Sequence, residues 1–345
     1  MRTALTTAGI LVVSVLLARM SADLGPSVVL NACHVSPIVD DLDRSARFYH
    51  DVLGMDLMPP PPPGPLPVDT DPGHLLLHGV PQARLRFIQA RIPGVRCGIE
   101  IVELTNIDRK AIRRREQDPG SVTLVLTVRN LDSAFAALKT AGAHVVTTGG
   151  VPVALSGAPS ARAVTVHDPD GHDVELQQLE PASPSTIASS SNVIGIGLRL
   201  TVADLQQSLG FYRRVLGING TIHPFENDRA RLTLAGLPVS GRLRTGSVTI
   251  PGTSRTLELV EFRGVDSKSV VAPSRIQDPG SYRLQLTFRD IEATMGVLAA
   301  EGLRAISTGG TPVTMSFGGR PWRLAIVPDP NNLFLIVQQA PSSSP

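Results

Sequence analysis

Aromatic residues make up only 4% of this 345-residue chain, tryptophan occurs once, and the formal net charge is only +2. So few rings leave no platform for stacking bases, and no basic stripe interleaved with aromatics is present to follow a phosphate backbone. Nucleic acid is therefore excluded as a partner. Cysteine is almost absent, with Cys33 and Cys97 the only two. In an exported chain they are a candidate disulfide, but strand alternation argues against it. Cys33 adjoins His34 and so points to the opposite sheet face, whereas Cys97, in step with Glu103, falls on the face assigned to His34. Two buried free thiols are expected. Long apolar runs are missing except at the start, where Ala4 to Ala18 forms an uncharged, mostly apolar stretch of 15 residues behind Met1-Arg2. That is short for a membrane span and suits a signal-peptide core. Residues 1–22 are thus expected to direct export, to the periplasm or beyond the cell. Membrane contact arises only if the segment stays uncleaved as an anchor, an option kept open by the bulky Met20 near Ser21-Ala22.

What is present is a sequence written twice. Val39-Asp40-Asp41-Leu42, Phe48-Tyr49 and Val52-Leu53-Gly54 return as Val202-Ala203-Asp204-Leu205, Phe211-Tyr212 and Val215-Leu216-Gly217. Gln117-Asp118-Pro119-Gly120-Ser121 returns as Gln277-Asp278-Pro279-Gly280-Ser281, Thr148-Gly149-Gly150 as Thr308-Gly309-Gly310, and Asp168-Pro169 as Asp329-Pro330. A nearly constant offset of 160 to 163 residues means two copies of a complete domain. With 42% hydrophobic and 18% charged residues, each copy has the composition of an ordinary globular domain. Each copy also serves as a control for the other: a residue needed to fold should appear in both, and one needed for chemistry can survive in one.

In the first copy, residues 32–38 are expected as a strand and 41–52 as a helix, capped by Asp41 or Asp43 and stopped at Gly54. The proline-rich stretch Pro59 to Pro67 is a loop expected at the rim of a site. Apolar runs at 74–77, 83–89 and 99–105 are expected strands. The order then recurs, with strand 122–128, helix 132–141 ending at Gly142, and strands 145–147, 163–167 and 174–177. The resulting plan is a leader (1–22), a first domain (30–180), a Ser/Pro linker (181–191), a second domain (192–340) and a tail (341–345). The fold class is α+β, with four βαβββ modules.

This module order, the pattern Asp-Leu-x-x-Ser-x-x-Phe-Tyr-x-x-Val-Leu-Gly, and Asp168-Pro169-Asp170-Gly171-His172-Asp173-Val174-Glu175-Leu176 resemble the vicinal oxygen chelate superfamily of glyoxalases, bleomycin-binding proteins and extradiol dioxygenases. The resemblance spans nearly all of residues 30–180 and 192–340. It implies two tandem domains with cupped mixed sheets, whose metal ligands come from the first and last strands of paired modules. His34 falls at the first ligand position, Glu103 at the second and Glu175 at the fourth, while the third, a histidine in the family, is Thr123.

One imidazole and two carboxylates suit Zn, Ni, Mn, Fe or Co, with open positions for substrate. Glu103 or Glu175 would double as a catalytic base. Glu100, three residues from Glu103, is expected on the other face. Thr123 removes support for extradiol dioxygenase and fosfomycin-resistance activities. In the second copy Gly197, Arg283 and Ile336 stand at ligand positions, leaving only Glu261 or Glu258, so no metal is expected there. His74, His78, His167 and His172 match no ligand position and are expected at the surface or in the core.

Two functions remain. One is a divalent-metal lyase or isomerase acting on a small oxygenated molecule. The other is a non-catalytic cup sequestering a small apolar or aromatic ligand, with Trp322 a candidate lining residue. Either acts as a monomer or homodimer. Module pairing decides whether the three candidate ligands meet: pairing within each copy brings them together, and exchange between copies separates Glu175 from His34.

Overall fold

The computed structural model describes residues 28–157, 159–181, 190–253 and 256–341. The expected leader, most of the linker and the tail after residue 341 lie outside the described residues. Among the described residues, no helix is long and apolar enough to cross a membrane.

The four expected modules are present. The first consists of β1 (Val29–Pro37), α1 (Leu42–Arg47, continued by a wider turn to Val52), β2 (Asp56–Met58), β3 (Arg84–Arg91) and β4 (Ile99–Thr105), with a short helix α2 (Pro72–His78) between β2 and β3. The second has β5 (Val122–Val128), α3 (Leu131–Thr140), β6 (Val153–Leu155), β7 (Ser160–His167) and β8 (Asp173–Glu180). The third has β9 (Val193–Thr201), α4 (Leu205–Leu216), β10 (Thr221–Ile222), α5 (Arg229–Leu234), β11 (Arg242–Thr249) and β12 (Thr256–Arg263). The fourth has β13 (Tyr282–Phe288), α6 (Ile291–Ala300), β14 (Val313–Phe317), β15 (Arg320–Pro328) and β16 (Phe334–Gln339). The main helices all start the same way. Asp41, Asn130, Asp204 and Asp290 each accept the backbone N–H three residues on, a cap worth about 1 kcal/mol.

Two expected strands are corrected. Residues 74–77 belong to α2, because Asp71 caps it, Pro72 opens it and left-handed Gly79 closes it; these end signals outweigh a short apolar run. Residues 145–147 form only an isolated bridge through Val145, and the strand of that module lies at Val153–Leu155.

The sheets exchange modules between copies. One runs β14-β15-β16-β13-β1-β4-β3-β2, joining the first and fourth modules; the other runs β10-β11-β12-β9-β5-β8-β7-β6, joining the second and third. The seams are antiparallel pairs, β1 with β13 and β5 with β9, while β4 and β16 lie parallel to their modules' first strands. We call the concave faces the outer cup (first and fourth modules) and the inner cup (second and third).

The repeated motifs hold this arrangement together. Tyr49 donates to Asp168 at 3.2 Å and Tyr212 donates to Asp329, so the Phe-Tyr and Asp-Pro motifs of each copy meet in a continuous core that includes Phe48, Phe211, Leu42 and Leu205. Burying such a side chain contributes roughly 1.5–3 kcal/mol. The Gln-Asp-Pro-Gly-Ser turns clasp across the copies. Asp118 accepts from the Lys268 amide at 2.9 Å and Asp278 from the Lys110 amide at 2.8 Å. A Cβ on Gly280 would stand 2.3 Å from the Ile112 carbonyl oxygen, at φ +99°, so only glycine fits.

Cys33 and Cys97 form a disulfide, correcting the expectation of free thiols. β1 and β4 are parallel with Val35 opposite Ile99, which brings the residues two places earlier side by side. Simple alternation misled twice. The register of β1 shifts between Ala32 and Val35, so Cys33 and His34 line one cavity, and Cys97 precedes the first residue of β4.

Candidate functional site

The exchange of modules distributes the candidate ligands. His34 lines the outer cup and Glu175 the inner cup, so the two do not meet. Glu103 enters neither cavity. It points to the helix side of β4, where it accepts the Leu42 amide at 3.3 Å and is held by its cross-strand neighbour Arg86 at 2.6 and 3.0 Å. Glu261 repeats this arrangement with the Leu205 amide at 2.9 Å and Arg244 at 2.8 Å. A carboxylate that anchors a helix start in both copies is a folding element, since each copy is the control for the other. On these two strands the acids that face the cups are Glu100 and its counterpart Glu258, the latter beside Glu175. The proline-rich loop also departs from expectation: none of residues 59–67 lines the outer cup, and α2 covers it instead. The loop packs back on α1, with the Leu66 amide donating to Asp43 at 2.9 Å.

The outer cup encloses about 330 Å³. On its floor lies Arg283 of β13, 2% exposed, whose guanidinium bonds Glu100 at 3.0 Å and also His78 Nε2. His78 Nδ1 donates to the His74 carbonyl at 2.6 Å, so its Nε2 offers a lone pair to the arginine. Burial and the adjacent guanidinium hold the His78 pKa well below its ordinary value and keep the ring neutral. Burial pushes the Glu100 carboxyl up, but Arg283, His34, His74 and the Ser36 hydroxyl outweigh it, and the net shift is downward. Burial likewise lowers Arg283, against the pull of Glu100. Above this charged floor stand Phe87, Phe317, Trp322, Leu77, Leu324 and Ile336.

The inner cup encloses about 560 Å³ and is polar. Arg199 of β9 bonds Glu175 at 2.5 Å and Glu258 at 2.8 Å and lies 3.6 Å from Glu116, while Arg231 of α5 bonds Glu258 at 2.8 Å. Burial, with Asp173, Glu175 and Glu258 nearby, pushes Glu116 up to about 8 despite Arg199. Glu258 is also buried, but its two arginines overcome that and bring it down to about 2.

One design underlies both floors: a glutamate at the same module position, Glu100 or Glu258, is paired with one arginine from the seam. The arginine comes from opposite sides of that seam. Ser36 faces Arg283 across β1–β13, and Thr123 faces Arg199 across β5–β9, so the two cups have traded which strand supplies the cation.

A divalent ion does not fit these surroundings. In each cup a guanidinium occupies the space between the acid and its neighbours, where it would repel a second cation. His34 Nδ1 accepts the Gly98 amide at 3.2 Å, which puts the ring proton on Nε2; a ligating imidazole normally uses one nitrogen for the metal and donates from the other. Among the described residues, no cluster of three or more His, Cys, Asp or Glu side chains is arranged to hold a metal.

Several cup residues were missed in the sequence. Glu100 does lie on the face opposite Glu103, as strand alternation predicts, but that face is the cup, whereas the Glu-Leu-Thr-Asn match favours Glu103. His74 and His78 seemed incidental because they match no family position, yet both line the outer cup. The repeat held a usable signal: Arg86 before Glu103 and Arg244 before Glu261 recur together, marking those glutamates as structural. Of the other two histidines expected at the surface or in the core, His172 is buried against Asp168 and His167 lies part-exposed beside Asp173.

The family described as Glyoxalase/Bleomycin resistance protein/Dioxygenase superfamily matches residues 33–176. Among solved structures, the chain is similar to glyoxalase I from Zea mays, with a TM-score of 0.54 and 16% identity over 91% of this chain and 92% of that one. It is also similar to a putative dioxygenase from Bacillus subtilis subsp. subtilis str. 168, with a TM-score of 0.51 and 10% identity over 92% and 87% of the two chains. No curated protein sequence matches the chain. The first copy thus matches this superfamily over residues 33–176, and the chain as a whole, with the same module order in its second copy, shares the fold of glyoxalase I.

Proposed function

We propose that the outer cup binds a small, flat, oxygen-bearing organic molecule without the help of a divalent metal. The observation that carries this reading is Arg283, held between Glu100 and His78 on the floor of a cavity whose walls include Phe87, Phe317, Trp322, Leu77, Leu324 and Ile336. A buried guanidinium under apolar walls favours a ligand with one anionic or strongly polar oxygen edge and one planar apolar body. Of the two functions derived from the sequence, this supports the small-molecule cup over the metal-dependent lyase or isomerase that needed His34, Glu103 and Glu175 together. The disulfide supports the reading of residues 1–22 as an export signal, since such bonds persist in oxidising compartments. Monomer and homodimer are both consistent with this proposal.

Calorimetric titration of the full chain with benzoate and phenylpyruvate, in the presence of EDTA, tests it. Saturable binding that weakens about tenfold or more in Trp322→Ala is expected, roughly the loss of a buried aromatic contact. Binding that appears only after a divalent ion is added would overturn the reading, as would no saturable binding of either probe.

A further inference from the structure

We propose that His74, oriented by Asp69, is a proton-transfer base in the outer cup, and that the cup tautomerises a carbonyl compound bearing an acidic C–H. The proposal rests on the reading that this cup takes a flat, oxygen-bearing molecule. His74 sits in the first turn of α2, and its ring contacts Phe87 of the first module and Phe317 of the fourth, with centroids 5.4 and 6.1 Å away. Its Nδ1 is 2.5 Å from Asp69 Oδ2. Asp69 is itself fixed, with its backbone N–H donating to the Leu85 carbonyl on β3 at 2.8 Å and its other carboxylate oxygen accepting the Asp71 amide at 3.3 Å. A carboxylate on Nδ1 keeps the proton on that nitrogen, so the lone pair is on Nε2, the arrangement a general base requires. Among the described residues Nε2 has no hydrogen-bond partner, and the side chain lines the cavity.

The inner cup supplies a contrast. The residue at the matching place, third along from the helix-capping aspartate, is Arg231, which bonds Glu258 and cannot accept a proton. Bracing the helix does not need the Asp69–His74 pair, because Asp71 already caps α2 through the Gly73 amide at 2.8 Å.

In the proposed step, Nε2 removes the proton from the carbon beside the carbonyl. The C–H electron pair forms the C=C bond of an enolate, whose oxygen takes the negative charge in the field of Arg283. The imidazolium then returns the proton to that oxygen, giving the enol; the reverse order gives the ketone. One proton leaves and one comes back, so no oxidant, reductant or leaving group is involved.

Phenylpyruvate serves as the probe, with solvent deuterium exchange of its benzylic protons followed by NMR on the full chain and binding followed by calorimetry. We expect the wild-type chain to accelerate exchange over buffer. His74→Gln should lose about 100-fold or more of that acceleration while binding changes less than about threefold, as expected when a general base is removed. His74→Ala should regain part of the rate with added imidazole, beyond what imidazole achieves without protein, a recovery that a merely structural histidine would not produce. Asp69→Asn, which disturbs the tautomer only, should fall between the wild type and His74→Gln. A wild-type chain that binds phenylpyruvate without accelerating exchange overturns this proposal and leaves the binding reading standing. So does a His74→Gln variant as fast as the wild type. Absence of binding overturns both.

Discussion

The outer and inner cups share a backbone plan and one acid–arginine pair each, yet they line it with opposite chemistry. The outer cup sets Arg283 under aromatic and aliphatic walls, with Arg91 and Arg96 also lining it, and adds His34, His74 and His78; the inner cup packs Arg199 and Arg231 among Glu116, Glu175 and Glu258, with Gly195 and Gly197 on its wall. Because the sheets join modules from different copies, this difference is not one between the first and second copies. Each cup draws its lining from both copies. Tandem duplication followed by module exchange thus lets one copy supply the acid and the other the cation, as Glu100 with Arg283 and Glu175 with Arg199 do.

The largest expected effect comes from removing the central cations. Arg199→Met strands Glu175, fully buried, beside Glu258 and should cost about 3–5 kcal/mol, the penalty for an unpaired buried charge. Arg283→Met leaves Glu100 with Ser36 and partial solvent access and should cost less, about 1–3 kcal/mol. Urea midpoints of the two variants measure the difference, and equal losses would mean that the two floors are energetically alike. Next in size is the disulfide, which closes a stretch of 64 residues in the first copy and has no counterpart in the second. Replacing Cys33 and Cys97 with serine should lower stability by about 2–4 kcal/mol in the same assay.

A pH scan separates the cups further. Glu116 ordinarily titrates near 4.5 and is raised to about 8 in the fold, so the folded state favours its neutral form. That stabilisation is complete below about 4.5 and is lost as pH rises through about 8, by on the order of a few kcal/mol. Glu116→Gln should flatten this decline. A residual slope of the same sign between 3.8 and about 6 should remain from Asp329, whose carboxyl burial raises to about 6. A decline unchanged by Glu116→Gln would assign it elsewhere. The smallest effect concerns the paired structural acids. Glu103→Gln and Glu261→Gln should each cost about 1–2 kcal/mol, by equal amounts, and leave phenylpyruvate binding unaltered. A selective loss of binding in Glu103→Gln would restore that residue to the site.

The local features were legible in the sequence because they are encoded locally. Helix caps at Asp41 and Asp204, glycine turns, and the Phe-Tyr and Asp-Pro motifs follow from side-chain chemistry within a few residues, and the offset between copies exposed the duplication directly. The site was less legible because it depends on long-range choices. Whether β1 pairs with β5 or with β13 depends on the energy of a completed seam, and no short window reports it. The register shift in β1 placed Cys33 and His34 in one cavity against strict alternation. The arginine floors were missed because each is an acid from one strand and a base from another, between 24 and 183 residues apart along the chain.

In each cup a guanidinium occupies the acid that a divalent ion would need, Arg283 on Glu100 and Arg199 on Glu175 and Glu258, and titration calorimetry of the EDTA-stripped full chain with Mn, Ni, Zn, Co and Fe(II) tests this most directly. The prediction is no stoichiometric uptake of any of these ions, in the wild type or in His34→Ala alike. One tightly held ion per chain that disappears in His34→Ala would contradict it.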